Sequence, residues 1–245
     1  MKLNTNSNSY IIIYSAILVV VVAFLLAFVY QALKPIQDAN VALDKKKQIL
    51  AALNVRNLSD EEAEIKYNEM VLADYVIDEN AQCEDIPEDS LLAGYGNTEH
   101  GFKLNSSDYK AGRLALYICK VGDKYVYVVP VYGMGLWGPI WGYDGISYNK
   151  VYGAYFDHES ETAGLGAEIK DSQAWQEKFI GKEVLDEPTG LIEVCLGVKK
   201  PSNIKLPNSE VDCITGATLT SDGVDAMLKE SIAKYRNHML HTPDF

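Results

Sequence analysis

Residues 212 to 223 read DCITGATLTSDG, with three threonines and a serine around a Gly-Ala pair, between two aspartates. Hydroxyls at this spacing can serve in two ways. Thr218, Thr220 or Ser221 can cap the helix that the following residues form, with Asp222 at its positive end. Alternatively, one of them is a point of covalent attachment. The first N–H groups of a helix lack intrahelical partners and make an anion site, so a phosphate suits this place on charge grounds. The segment is not a P-loop, because it lacks the G-x-x-x-x-G-K-[ST] pattern. On local physics alone the cap is the simpler reading.

Other chemistries find less support. No Ser/His/Asp set and no paired carboxylates stand out for hydrolysis. Of His100, His158, His238 and His241, only the last two are spaced i, i+3, near the tail, and no metal site is expected. Cys83, Cys119, Cys195 and Cys213 form no C-x-x-C pair. Buried free thiols are the plainest reading, with two disulfides open to an extracytoplasmic domain. No G-x-G-x-x-G is read as following a strand, so no nicotinamide site is expected. The net charge is −12, from 22 Lys and Arg against 34 Asp and Glu, which repels nucleic acid.

The elements that must hold the Thr-Gly segment can be read along the chain. Tyr10 to Leu33 contains no charged residue. As a helix it spans roughly 36 Å, enough for a hydrocarbon core of about 30 Å. Tyr10, Tyr14 and Tyr30 lie near its ends, as interfacial anchors do. The run is too long for the apolar part of a usual signal peptide, so it reads as a single transmembrane anchor. Lys2 precedes it and Lys34 and Lys45 to Lys47 follow it, which on charge alone favours a cytoplasmic domain.

Beyond the span, Val41, Leu43, Ile49, Leu50 and Leu53 recur at helical spacing until Asn54 to Leu58 breaks the pattern. Ser59 with Glu62 predicts a capping box, opening a helix that runs through SDEEAEIKYNEMVLADYV. Residues 78 to 101 read as an irregular connection. From Leu114 two β-rich runs meet at Gly122-Asp123, a hairpin signal, and the second ends in GMGLWGPIWGYDGI. A strand from YNKVYGAYFDH, a short helix opened by Ser172 and a strand IEVCLGVKK follow. The last helix carries Val224, Met227, Leu228, Ile232 and Tyr235 on one face. The fold class is α+β: a single transmembrane helix, then a mixed domain with a mainly antiparallel sheet flanked by helices. The expected divisions are a tail at 1–9, the span at 10–33, a membrane-proximal helical segment at 34–77 and the domain at 78–245.

Three stretches together change the weight of the Thr-Gly segment. D-C-I-T-G-A-T resembles the flavinylation motif Asp-x-x-Ser/Thr-Gly-Ala-Thr/Ser of the FMN-binding domain family. GLWGPIWGY, residues 135 to 143, resembles that family's Gly-Leu-Trp segment, and ESETAGLGAEI, residues 159 to 169, its Glu-Thr-Pro-Gly-Leu-Gly segment. The resemblance runs across essentially the whole chain, with Ala163 standing where the family usually has Pro and a looser loop expected there.

The resemblance implies FMN bound through a phosphoester to Thr218, installed by a flavin transferase with FAD as donor. Asp212 matches the recognition acid, and Thr215, Gly216 and Ala217 match the middle of the motif. It further implies a ring pocket from Leu136, Trp137 and Leu165, close backbone approach at Gly164 and Gly166, and polar contacts from Glu161 and Thr162. Lys199 and Lys200 stand near the phosphate in sequence. Ordinary alternatives remain: Trp137 and Trp141 as core or interface aromatics, Glu161 and the two lysines as solvated groups. The implied role is electron transfer inside a sodium-pumping NADH:ubiquinone reductase, with other membrane subunits as partners. A related ferredoxin-linked complex and a cofactor-free membrane-anchored adaptor are the alternatives. The family's topology implies an inner-membrane protein with its flavin domain in the periplasm, and this is followed over the lysine count.

Overall fold

The computed structural model describes residues 7–78, 101–186, 192–242 and 245. Cys83, His100 and most of the expected connection at 78–101 lie outside the described residues. The chain divides into two units, Met1–Lys45 and Lys46–Phe245. Helix α1 (Asn8–Ala52) continues without interruption through Pro35. In the first unit its apolar side chains, Ile11 through Leu33, are exposed. By length and composition this helix can cross a membrane.

The second unit begins inside the last turns of α1, where Ile49, Leu50, Ala52 and Leu53 are buried. Asn54 and Asn57 take left-handed conformations, at φ 60° and 58°, and break the helix where expected. Helix α2 (Asp60–Met70) opens with the expected capping box: Ser59 Oγ accepts from Glu62 N and Glu62 Oε2 accepts from Ser59 N. The sequence reading carries this helix on through Val76. The structure instead turns Val71–Asp78 into strand β1. Val76 and Ile77 are buried there, and pairing with a neighbouring strand overrides local helix preference.

Helix α3 (Ser106–Lys110) is capped by Asn105. Strands β2 (Arg113–Val121), β3 (Lys124–Met134), β4 (Pro139–Ser147) and β5 (Lys150–His158) complete an antiparallel sheet of order β1-β2-β3-β4-β5. The β2–β3 turn is at Gly122-Asp123 as predicted, with Gly122 at φ 63°. The β4–β5 turn is Tyr148-Asn149, both left-handed at φ 51° and 58°, the type I′ geometry that matches strand twist. Helices α4 (Glu168–Asp171) and α5 (Gln173–Gln176) follow, the second capped by Ser172. The expected strand IEVCLGVKK is two short ones. After β6 (Leu185–Asp186), β7 (Glu193–Val194) pairs with β6, whereas β8 (Gly197–Lys199) pairs in parallel with β9 (Glu210–Asp212). Helix α6 (Thr218–His241) closes the unit.

The sheet is covered on both faces. On one, the stripe Val224, Met227, Leu228, Ile232 and Tyr235 of α6 is buried against the strands, and Tyr235 Oη donates to Ala115 O at 2.9 Å. Phe156, Trp175 and Phe179 cluster on this side, and Trp175 Nε1 donates to Asp212 O at 2.8 Å, tying α5 to β9. On the other, Trp141 Nε1 donates to Gln48 Oε1 at the end of α1. Cys119, Cys195 and Cys213 are free thiols, Cys119 fully buried.

Asp144 of β4 is fully buried with neither carboxylate oxygen hydrogen-bonded. Desolvation pushes its carboxyl up to about 8. A carboxyl raised on folding binds its proton more tightly in the native state. Its stabilisation is therefore complete below the ordinary carboxylate range and is lost as pH rises toward about 8. Asp144→Asn keeps the neutral shape at every pH. In thermal melts of the full-length protein in detergent, the variant is expected to melt above wild type, by a margin that widens from pH 5 to pH 8. A constant margin would show that Asp144 is not the titrating group.

Candidate functional site

Thr218 is the first residue of α6, and the cap position before it is Ala217, which offers no side-chain oxygen. The three hydroxyls expected as caps are placed otherwise. Thr218 is itself inside the helix and half-buried. Ser221 Oγ accepts from Ile214 N at 3.1 Å and folds the preceding loop over the helix start. Thr220 Oγ1 donates to Glu161 Oε2 at 2.6 Å. Among the described residues, the cap position therefore makes no side-chain hydrogen bond to this helix end. Asp222 is exposed one turn in.

Glu161 is the centre of the arrangement. It is buried, which removes the solvated reading, and its other oxygen, Oε1, accepts from Trp137 N at 2.8 Å. One carboxylate thus joins the Gly135–Gly138 loop to the first turn of α6. The loop bearing Glu161 is held in turn: Glu161 N donates to His158 Nδ1 at 3.2 Å, and Ser160 Oγ donates to Trp137 O at 3.1 Å. Room for the carboxylate depends on two glycines. A Cβ added at Gly135 or Gly166 would collide with it, and at Gly166 would also stand 2.6 Å from Thr220 Oγ1. Gly166 therefore has a packing role distinct from the flavin approach expected of it, and Gly164 takes φ 72° in the turn before it.

These bonds leave a set of exposed apolar side chains on the loops tied to the first turn of α6. Trp137 is 65% exposed, Leu136 47% and Leu165 43%. Leu165 reaches to 3.0 Å of where a Cβ on Gly216 would lie, and Gly216 takes φ 82°. Met134 and Leu219, which the sequence reading passed over, are exposed as well. Exposed aromatic and aliphatic surface beside an uncapped helix end fits a ligand with a flat ring and a phosphate. Trp141, by contrast, is turned toward α1.

Other expected residues lie apart from the Glu161 cluster. Asp212 ends β9 and pairs with Lys178 at 2.9 and 3.0 Å, both side chains partly exposed. A pair of that kind contributes at most about 1 kcal/mol. Asp212 and Thr215 line a shallow cavity with Glu168, Ser172 and Lys178. Thr162 is exposed, and its carbonyl accepts from Leu165 N and Ala167 N, fixing the turn at Ala163. Lys199 pairs with Asp225 at 2.8 Å, where Lys229 also binds, and the two lysines with Val198 N hold that carboxyl below its ordinary range. Lys200 is exposed. Among the described residues no His, Cys, Asp and Glu group could hold a metal. Contrary to the sequence expectation, residues 133 to 138 have G-x-G-x-x-G spacing at the end of β3, but they lead into β4 and no helix end follows to receive a pyrophosphate.

The signal that could have exposed the role of Thr220 is the polar residue Glu161 between Gly135, Gly166 and a helix start, which only the folded chain brings together. Gly166→Ala forces the buried carboxylate to move. Its expected cost is about 1–3 kcal/mol, read as a lower denaturation midpoint, with Gly164→Ala as the control for turn strain alone. An unchanged midpoint would show that the carboxylate relocates freely.

Residues 135–233 match the FMN-binding domain family. Over 240 residues the chain is 30% identical to the NqrC protein of the Na(+)-translocating NADH-quinone reductase of Haemophilus ducreyi, covering 93% of this chain and 91% of that one. It is 29% identical over 243 residues to the NqrC of Pseudomonas aeruginosa, covering 92% and 91%. The crystal structure of NqrC from Parabacteroides distasonis superposes with a TM-score of 0.72 at 32% identity, over 84% of this chain and 96% of that one. With a coverage and identity of this order along nearly its whole length, the chain belongs to the NqrC family of Na(+)-translocating NADH-quinone reductase subunits, and its second unit contains an FMN-binding domain.

Proposed function

We propose that this chain carries FMN covalently on Thr218 and relays electrons within a sodium-translocating NADH:quinone reductase toward quinone. The observation that carries the reading is the uncapped start of α6 at Thr218, beside the outward-facing Leu136, Trp137 and Leu165. Attachment joins Thr218 Oγ1 to the FMN phosphorus of FAD, breaks the pyrophosphate P–O bond, releases AMP and frees the hydroxyl proton. A flavin transferase catalyses this step in maturation, with Asp212, partly exposed at the end of β9, as its recognition acid and Thr215, Gly216 and Ala217 presenting the threonine.

Bound FMN supplies one-electron transfer without dissociating. The residues of the chain hold it from both ends. The N–H groups of the first turn of α6 would receive the phosphate, where a helix end favours negative charge. Leu136, Trp137 and Leu165 would offer apolar surface to the ring. With Asp225 holding Lys199, the helix end rather than that lysine balances the phosphate. A helix able to cross the inner membrane anchors the chain beside the other members of the complex, with the flavin domain on the periplasmic side.

The test is co-expression with a flavin transferase, denaturing electrophoresis and ultraviolet imaging. Wild type is expected to fluoresce, Thr218→Ala to be dark, and Thr218→Ser to retain flavin, since it keeps the hydroxyl. A dark wild-type band beside a modified control substrate would overturn the covalent reading.

A further inference from the structure

We propose that Glu161 is a positioning residue for the flavin, a buried carboxylate that sets the spacing between the Trp137 loop and the first turn of α6 and keeps the flavin's potential low. The inference rests on FMN being carried by Thr218. Glu161 was expected to touch the ring or the ribityl chain, but both of its oxygens are already engaged by the protein, at Trp137 N and Thr220 Oγ1. It makes no ion pair among the described residues. A carboxylate held this way has two effects. Its paired acceptors fix the side that presents Leu136 and Trp137 relative to the side that presents Thr218. Its negative charge, unpaired among the described residues, opposes the addition of electrons nearby, and burial lengthens the reach of that opposition.

The enclosure around it is selective for this group. Gly135 and Gly166 leave the space that the carboxylate fills, and Thr220 is 2% exposed, so its hydroxyl has no water to turn to if Glu161 is lost. His158 Nδ1 and Ser160 Oγ secure the loop at its other bonds. Glu161→Gln separates the two effects. The amide oxygen still accepts from Trp137 N, and the amide nitrogen donates to Thr220 Oγ1, so the two-sided bridge is kept while the charge is removed and the direction of the Thr220 bond is reversed. Glu161→Ala removes both acceptors. Thr220→Val keeps the volume and removes only the hydroxyl's bond.

The experiment uses the full-length chain co-expressed with the transferase, and reads three quantities: rate of covalent flavin incorporation on gels, flavin midpoint potential by redox titration, and melting temperature. For Glu161→Gln the expected result is incorporation within twofold of wild type with a potential shifted to more positive values. For Glu161→Ala the expected loss in incorporation rate is tenfold or more, and for Thr220→Val it is severalfold. Should the alanine variant fail to melt cooperatively, the glutamine and valine variants still decide. An unchanged potential in Glu161→Gln, or wild-type incorporation in Thr220→Val and Glu161→Ala despite a lower melting temperature, would reduce Glu161 to a structural residue and overturn the proposal. Absence of covalent flavin from wild type would instead remove the reading of Thr218, a separate failure.

Discussion

The seating of α6 on the sheet is the contact on which the rest of the site depends. The buried stripe Val224, Met227, Leu228, Ile232 and Tyr235 excludes any rotation of the helix that would expose it. Gly223 fixes the depth: a side chain there would strike Met134 O, so the helix lies close to the end of β3 only because none is present. Tyr235 Oη reaching Ala115 O sets its position along the strands. Thr218 therefore stands at the tip of a rigid element rather than on a loose loop. A hydroxyl mounted in this way is held to finer tolerance than a loop would allow.

From that helix end, order spreads to two loops that have no regular structure of their own. The Gly135–Gly138 loop closes the β3–β4 hairpin through Gly135 N and Gly138 O at 2.8 Å, and the loop after β5 approaches it through Ser160. Neither contact alone fixes the loops to α6. Glu161 does so, by accepting from both sides at once. Hydrogen bonds to an ionised acceptor are about twice as strong as neutral ones, and burial without them would be strongly unfavourable. The same carboxylate that orders the site is therefore costly to leave unpaired, which makes the arrangement close to all-or-none.

Features set by near neighbours in the chain were legible in the sequence. The capping box at Ser59 and Glu62, the hairpin at Gly122-Asp123, Ser172 as a cap and the stripe of α6 all follow from spacings of a few residues. Strand β1 was not legible, because Val71–Asp78 has a composition that helix and strand share and only pairing with β2 decides it. Strand β4 was hidden by Gly142 and Gly145, which weaken a strand signal but lie between paired neighbours here. The role proposed for Thr218 comes from the resemblance of its motif and not from any spacing rule. The bond between Thr220 and Glu161 was not legible, since the two residues are 59 positions apart and meet only when α6 is seated.

The absent cap is the feature that local rules anticipated least. A segment with three threonines and a serine would be expected to cap its helix, and replacing such a cap by alanine typically costs about 1 kcal/mol. Here the cap position is Ala217, while Thr220 and Ser221 are drawn away to Glu161 and Ile214 N. The folded chain thus forgoes local stability at one helix end and uses the hydroxyls to fix the surrounding loops. What remains at the start of α6 is a helix end that no side chain fills, next to one half-exposed hydroxyl. A phosphate on that hydroxyl would meet the N–H groups directly, so the stability withheld by the missing cap is available to the modified protein and not to the bare chain.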